Sequence, residues 1–226
     1  RLRRQNMEAV RFLIQAGEAG EAFAIPLTGL EAKYLMQEQG ETVVQWLSSL
    51  PDAVLTAHLE HLIAFGLRGS MGGCFPVAKT AASRLQELLE SPAIEQSRRD
   101  LIRASLELAV SFQEYNDVEK MVEHHKTAWE LAGKQIYRVD GEAWTFCAPS
   151  VAFMYWRESG TLDQTCTFLE EGIHYYSDLC GGSGAGSGEA MRAELLLLAG
   201  SNEAAVQQAN RAVYIAEKHH QDSIAF

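Results

Sequence analysis

Three short breaks divide an otherwise continuous helical pattern, and they recur at nearly fixed spacing. They are Asn116-Asp117-Val118-Glu119, Gly160-Thr161-Leu162-Asp163 and Gly200-Ser201-Asn202-Glu203, and Gly73 opens a similar break earlier. From Gly73 to Asn116, Gly160 and Gly200 the separations are 43, 44 and 40 residues. That is the period of a helix-pair repeat. Gly or Asn can take the left-handed conformation that ends one helix, and Asp, Thr or Ser beside it can cap the next. Small residues then fall at equivalent places, Ala128, Gly172 and Ala212, followed four residues on by Ala132, Tyr176 and Ala216. Trp129, Ile173 and Val213 stand beside them, placed to fill the core between repeats. One such unit cannot bury its apolar face alone, so the pattern requires stacking.

No alternating apolar and polar run bounded by hairpin turns occurs, so strands are not expected. The periodicity predicts helices over 4–16, 21–38, 41–49, 51–68, 75–90, 94–114, 117–134, 142–158, 161–179, 188–199 and 202–220, with Pro51 opening the fourth. The fold class expected is all-α: about five stacked helix pairs, read as one domain over 1–226. Within it, 1–50 are entry helices, 51–180 the helix-pair repeats, 181–188 a glycine-rich connector expected to be mobile, and 189–226 a C-terminal helix pair. With 226 residues, 47% of them hydrophobic, the chain can bury a core without metal or disulfide staples. A net charge of −11 makes direct contact with nucleic acid unfavourable. No apolar run approaches the roughly 18 residues of a membrane span. The start, Arg1-Leu2-Arg3-Arg4, has no apolar segment behind it and no initiator Met, so the chain reads as a piece of a longer protein. Cys74, Cys147, Cys166 and Cys180 lack paired spacing and read as free thiols of a reducing cytoplasm.

Signals for chemistry are sparse. The loop Gly181-Gly182-Ser183-Gly184-Ala185-Gly186-Ser187-Gly188 has neither the Lys of a phosphate-binding loop nor the glycine spacing of a dinucleotide site. His58 and His61 share a helix face, and Glu171/His174 and Glu217/His220 form two E-x-x-H pairs, but the pairs do not occupy equivalent repeat positions. Solvated or capping histidines are expected, and no metal site. Of the adjacent His124 and His125, one is expected to pack and the other to face water. Cys147 lacks a placed base and reads as structural. The aromatic cluster Tyr137, Trp144, Phe146, Phe153, Tyr155 and Trp156, with Tyr175 and Tyr176 following, is either core or a concave pocket.

Three stretches resemble one family. Trp46-Leu47-Ser48-Ser49-Leu50-Pro51-Asp52-Ala53-Val54-Leu55 is similar to the WLxxLPxxxL signature of MalT-like, LuxR-type ATP-dependent transcription regulators. Trp144-Thr145-Phe146-Cys147-Ala148-Pro149-Ser150 with Tyr155-Trp156-Arg157-Glu158-Ser159-Gly160-Thr161-Leu162-Asp163 resembles a PWTFGSPS…FWREPGxLD run of bacterial members. Gly184-Ala185-Gly186 with Ala190-Met191-Arg192-Ala193-Glu194-Leu195 resembles their GHGAG…MRAEALLxxG segment. Cys147 stands where a Gly is common, and Ser183 where a His often stands. The resemblance implies a TPR-like superhelix acting as the sensor of a transcription regulator. It would bind a small-molecule inducer or a regulatory protein and, with possible self-association, control activation. ATP would bind a missing N-terminal module and DNA a missing C-terminal helix-turn-helix; no cofactor, membrane contact or enzymatic activity is expected of this segment. Trp144, Tyr155, Trp156, Arg157, Tyr175 and Arg192 are the residues expected to line the ligand surface, where an Arg could hold an anionic or hydroxylated group. The alternative reading is a helical-repeat scaffold that takes only a peptide or protein; a metal-dependent enzyme is a distant third.

Overall fold

The structure, a computed structural model, describes residues 5–92, 94–114, 117–133, 136, 156–182 and 184–221. Among these it holds eleven α-helices and no strand. The chain divides into two compact units, Arg1–Val110 and Ser111–Phe226.

In the first unit, α1 (Gln5–Gln15), α2 (Ala19–Ala24) and α3 (Gly29–Ser49) replace the expected helices at 4–16, 21–38 and 41–49. Pro26 has no N–H to continue a helix and forces Ile25 into extended backbone (φ −78°, ψ 119°). Thr28 then restarts it with a capping box: its Oγ1 accepts from the Glu31 N–H at 3.3 Å, and its own N–H donates to Glu31 Oε2 at 3.0 Å. The break expected near residues 39–40 is instead a kink inside α3, at Gln39 (φ −138°, ψ 39°). The expected helix 51–68 splits at His58 (φ −122°, ψ 43°) into α4 (Asp52–Ala57) and α5 (Leu59–Met71). α5 buries residues nearly all round, as a central helix must. α6 (Phe75–Glu90) has the expected bounds, and α7 spans Gln96–Ser111.

Trp46, Leu47, Leu50 and Leu55 of the first family-like stretch are all buried. Trp46 donates its indole N–H to the Ala19 carbonyl at 3.0 Å and meets Phe23 and Phe65 edge-on at 5.5 and 5.7 Å. α5 and α6 cross on small residues. A Cβ on Gly69 would lie 2.9 Å from the Ala78 backbone nitrogen, and one on Gly66 would lie 3.5 Å from Ala81 Cβ.

The second unit holds α8 (Val118–Ala132), α9 (Leu162–Leu179), α10 (Ser187–Leu198) and α11 (Asn202–Lys218). The recurring glycines behave as the spacing predicts: Gly73, Gly160 and Gly200 have φ of +72°, +87° and +80°. The caps do so only once. Asp117 accepts from the Lys120 N–H at 3.1 Å, whereas Thr161 turns its hydroxyl back to the Glu158 carbonyl at 2.7 Å and Ser201 makes no side-chain cap. α8 and α9 approach at Gly172, where a Cβ would meet Val122 Cγ2 at 2.7 Å. Ala128, Ala212 and Ala216 are buried, as the repeat alignment requires. Most of the helix expected at 142–158 lies outside the described residues, and 156–158 is not helical.

The glycine-rich loop is packed rather than a free connector. Gly182 donates its N–H to the Ser177 carbonyl at 2.7 Å and Gly184 to Gln221 Oε1 at 3.1 Å, while Ser187 is buried. Gly186 has φ +94°, and a Cβ there would fall 2.6 Å from the Ala212 carbonyl oxygen and 3.2 Å from the Ala216 nitrogen. We expect Gly186→Ala to destabilise the chain by about 2–3 kcal/mol, since strain and a backbone clash combine. Gly133→Ala, with φ +58° and open space around it, should cost only about 1 kcal/mol. Urea unfolding of the two variants checks the ordering; equal losses would contradict it.

Candidate functional site

Of the six residues expected to line a ligand surface, Trp144 and Tyr155 lie outside the described residues. Trp156 is half-buried and packs against the cluster of Val118, Met121, Val122, Leu169, Met191 and Leu195 from α8, α9 and α10. Its indole nitrogen is buried with no acceptor among the described residues. Arg157, next in the chain, is exposed. Arg192 sits one residue beyond Met191 of that cluster and is ion-paired with Glu170. Its charge also reaches Cys166, whose thiol burial nevertheless pushes up. Trp156, Cys166 and Arg192 therefore gather around one cluster. Tyr175 is elsewhere: it packs on Trp129 at 5.7 Å, and Trp129 donates to Asp178 Oδ2 at 3.1 Å. That aromatic pair joins α8 to α9.

The helix-pair interior also holds a buried polar group that sequence reasoning only half anticipated. His125 is 3% exposed while its neighbour His124 is half-buried. Its ring lies 5.5 Å from that of Tyr176, which Phe112 meets edge-on at 6.1 Å. Neither ring nitrogen of His125 has a well-formed hydrogen bond among the described residues; the backbone of Gly172 is its one weak polar contact there. Burial pushes its pKa down to about 4; the Gly172 backbone opposes this weakly and the charge of His124 adds to it. On the same side of α9, burial raises the Cys180 thiol to about 12, against a small opposing contact from Tyr176. Cys74 is raised as well, again by burial, with Lys33 opposing. Burial thus holds the His125 imidazole neutral and the Cys74 and Cys180 thiols protonated.

The histidines that share a face of the first unit serve packing. His58 and His61 stack at 5.5 Å, and His61 Nδ1 lies 2.8 Å from the Phe23 carbonyl oxygen. Among the described residues no three His, Cys, Asp or Glu side chains converge in a way that could hold a metal ion. No helix among them is long and apolar enough to cross a membrane.

One concave feature escaped the sequence. A cleft of about 640 Å³ lies where the kink of α3 faces the start of α6, lined by Met36, Gln37, Gly40, Glu41, Val44, Gln45, Cys74, Pro76 and Val77. Its size is that of a small-molecule site, with an apolar floor and a few polar groups. The signal for it was Gly40 between the helical stretches expected at 21–38 and 41–49, beside the kinked Gln39.

No family model, curated protein or solved structure matches this chain.

The His125 environment makes acid stability a direct check. Its folded pKa of about 4 lies below the ordinary 6.5, so the unfolded chain takes up a proton that the folded chain refuses. Stability is full above pH 6.5 and falls as the pH drops from there towards 4, by about 3 kcal/mol for this group. His125→Phe, which keeps a ring but cannot titrate, should flatten the urea midpoint over that window. An unchanged pH slope in the variant would sink this assignment.

Proposed function

We propose that the chain is a helical-repeat module that recognises a signal, similar to the TPR-like sensor superhelix of MalT-like, LuxR-type transcription regulators. In this reading it takes a small-molecule inducer or a regulatory protein, in the cytoplasm, and passes the binding on through the relative rotation of its helix pairs. ATP and DNA would engage modules outside this chain. The observation that carries the reading is the repeated crossing in the second unit: Gly172 against Val122, then Gly188 against Ile173, each at a hypothetical Cβ distance of 2.7 Å. Crossings of this kind stack pairs into a solenoid with a continuous binding surface. A ligand that prefers one curvature shifts the population by its differential affinity.

The ligand surface proposed is Trp156, Arg157 and the adjoining side of Arg192, with Trp144 and Tyr155 as further lining; Tyr175, packed on Trp129, is left out of it. The buried indole N–H of Trp156, lacking an acceptor among the described residues, supports a polar ligand group there. A second reading, a scaffold that takes only a peptide or protein, is favoured by the engagement of Arg192 with Glu170 and of Tyr175 with Trp129.

The test is thermal stability of the chain against sugars, amino acids, nucleotides and other metabolites. A ligand at 100 times its Kd adds about 2.7 kcal/mol, and we expect Trp156→Phe or Arg157→Ala to abolish the shift; Trp156→Phe also lowers the unliganded midpoint, because the indole packs on the α8–α10 cluster. A ligand shift that survives both substitutions refutes this surface. Silence of the whole panel leaves the scaffold reading in its place.

A further inference from the structure

The cleft at the kink of α3 is built from two stripes of that helix and one wall from the start of α6. Met36, Gly40 and Val44 are spaced by four, and so are Gln37, Glu41 and Gln45 beside them. Spacing of four keeps each set on one side of a helix, one turn above the next. The first set gives the apolar floor. Met36 is 3% exposed, and Val77 of α6, which also lines the cleft, is 1% exposed. Between Met36 and Val44 a Cβ on Gly40 would meet nothing within 4 Å. Gly69, Gly172 and Gly188 differ: there a neighbour stands 2.9, 2.7 and 2.7 Å from the missing Cβ. The space over Gly40 is therefore room in the cleft and not a helix crossing.

The second set gives a polar edge. Glu41 is the one charged side chain among the lining residues, and it has no ion pair among the described residues. Glu38, three residues earlier, is tied to Arg11. Gln37 and Gln45 stand one turn to either side of Glu41, each with an amide oxygen that can accept. Lys33 lies four residues before Gln37, and its charge reaches Cys74 on the opposing wall. A cation is therefore repelled from the Cys74 end of the cleft and drawn to the Glu41 end.

We propose that this cleft binds an arylalkylamine, its flat apolar ring over Gly40 and its primary ammonium against Glu41. An ammonium carries three N–H donors, which matches one carboxylate with an amide oxygen on either side. A ring over the missing side chain supplies the contacts that the gap denies to Met36 and Val44. A volume of about 640 Å³ admits a bicyclic ring. The site lies wholly in the first unit and does not rest on the surface proposed around Trp156.

Cys74 is a local reporter, since it lines the cleft and is half-buried. Its alkylation by iodoacetamide is followed in the full chain by mass spectrometry, at about pH 8.5, where an alkylamine stays protonated. Cys166 packs against the same cluster as Trp156, so it is the control that separates the two sites. The probes share one ring and differ in charge: tryptamine, neutral 3-ethylindole and anionic indole-3-propionate. We expect about 5 mM tryptamine to slow Cys74 at least fivefold, which corresponds to a Kd of about 1 mM, and to leave Cys166 unchanged. Indole-3-propionate should protect least. Glu41→Gln should reduce protection by tryptamine to that given by 3-ethylindole, and Gly40→Leu, which fills the gap, should abolish protection by both. Glu41 is exposed and Gly40 has open space around it, so both variants are expected to fold; circular dichroism and the melting midpoint verify this. Four results overturn the proposal: no slowing of Cys74 by tryptamine, equal protection by all three probes, a preference for tryptamine that survives Glu41→Gln or protection that survives Gly40→Leu, and equal slowing of Cys166.

Discussion

Close approach of helices at residues without side chains is the constraint on which the rest of the packing depends. Gly69 lies against the Ala78 backbone, Gly172 against Val122 and Gly188 against Ile173. At each crossing the missing Cβ lets larger neighbours interlock on both sides, where dispersion and apolar burial accumulate. The same closeness keeps water out. That is why His125, which lies against Gly172, is held neutral by burial and not by a charged partner. A wider interface would admit solvent and return the imidazole towards its ordinary pKa.

The first unit adds a second device, in which arginines tie helix ends together. Arg84 donates to the Leu50 carbonyl and to Asp52, both at 2.8 Å. Arg98 reaches the Thr56 carbonyl at 2.8 Å, and Arg99 bonds the Ile94 and Ser91 carbonyls at 3.1 and 2.6 Å and the Leu89 carbonyl as well. Carbonyls at helix ends have no intrahelical donor and carry the negative end of the dipole, so a guanidinium fork satisfies both needs at once. These contacts join α4 and α6 to α7 without adding apolar surface, in a chain whose net charge is −11.

The parts of this fold that were legible in the sequence are those set by local backbone chemistry. Left-handed glycines at 73, 160 and 200 delimit helices wherever they occur, and α6 and α9 to α11 fall within two residues of the expected bounds. Periodicity failed where a local competitor was stronger. The capping box of Thr28 and Glu31 behind Pro26 divides what reads as one apolar helix, and His58, with non-helical backbone and its ring stacked on His61, divides another. Composition also misled at the glycine-rich loop, since the absence of side chains that permits flexibility also permits contact with Ala212 and Ala216. For the candidate surface, residue types could nominate Tyr175 and Arg192. Only the fold shows that α8 and α9 meet so that Trp129 takes the first, and that Glu170 takes the second. The cleft at the kink of α3 was hidden because it depends on which helix faces Gly40, and no spacing encodes that.

The dependence on small-residue crossings is tested most directly by a double-mutant cycle at α8 and α9. Gly172→Ala, Val122→Ala and the double variant would be compared by equilibrium unfolding. If the crossing distance is set by contact between these two positions, the loss caused by Gly172→Ala largely disappears when Val122 is already Ala, with a coupling of about 1 kcal/mol or more. Strict additivity of the two substitutions would contradict the account, because the helices would then be held apart by something other than the side chain that Gly172 leaves room for.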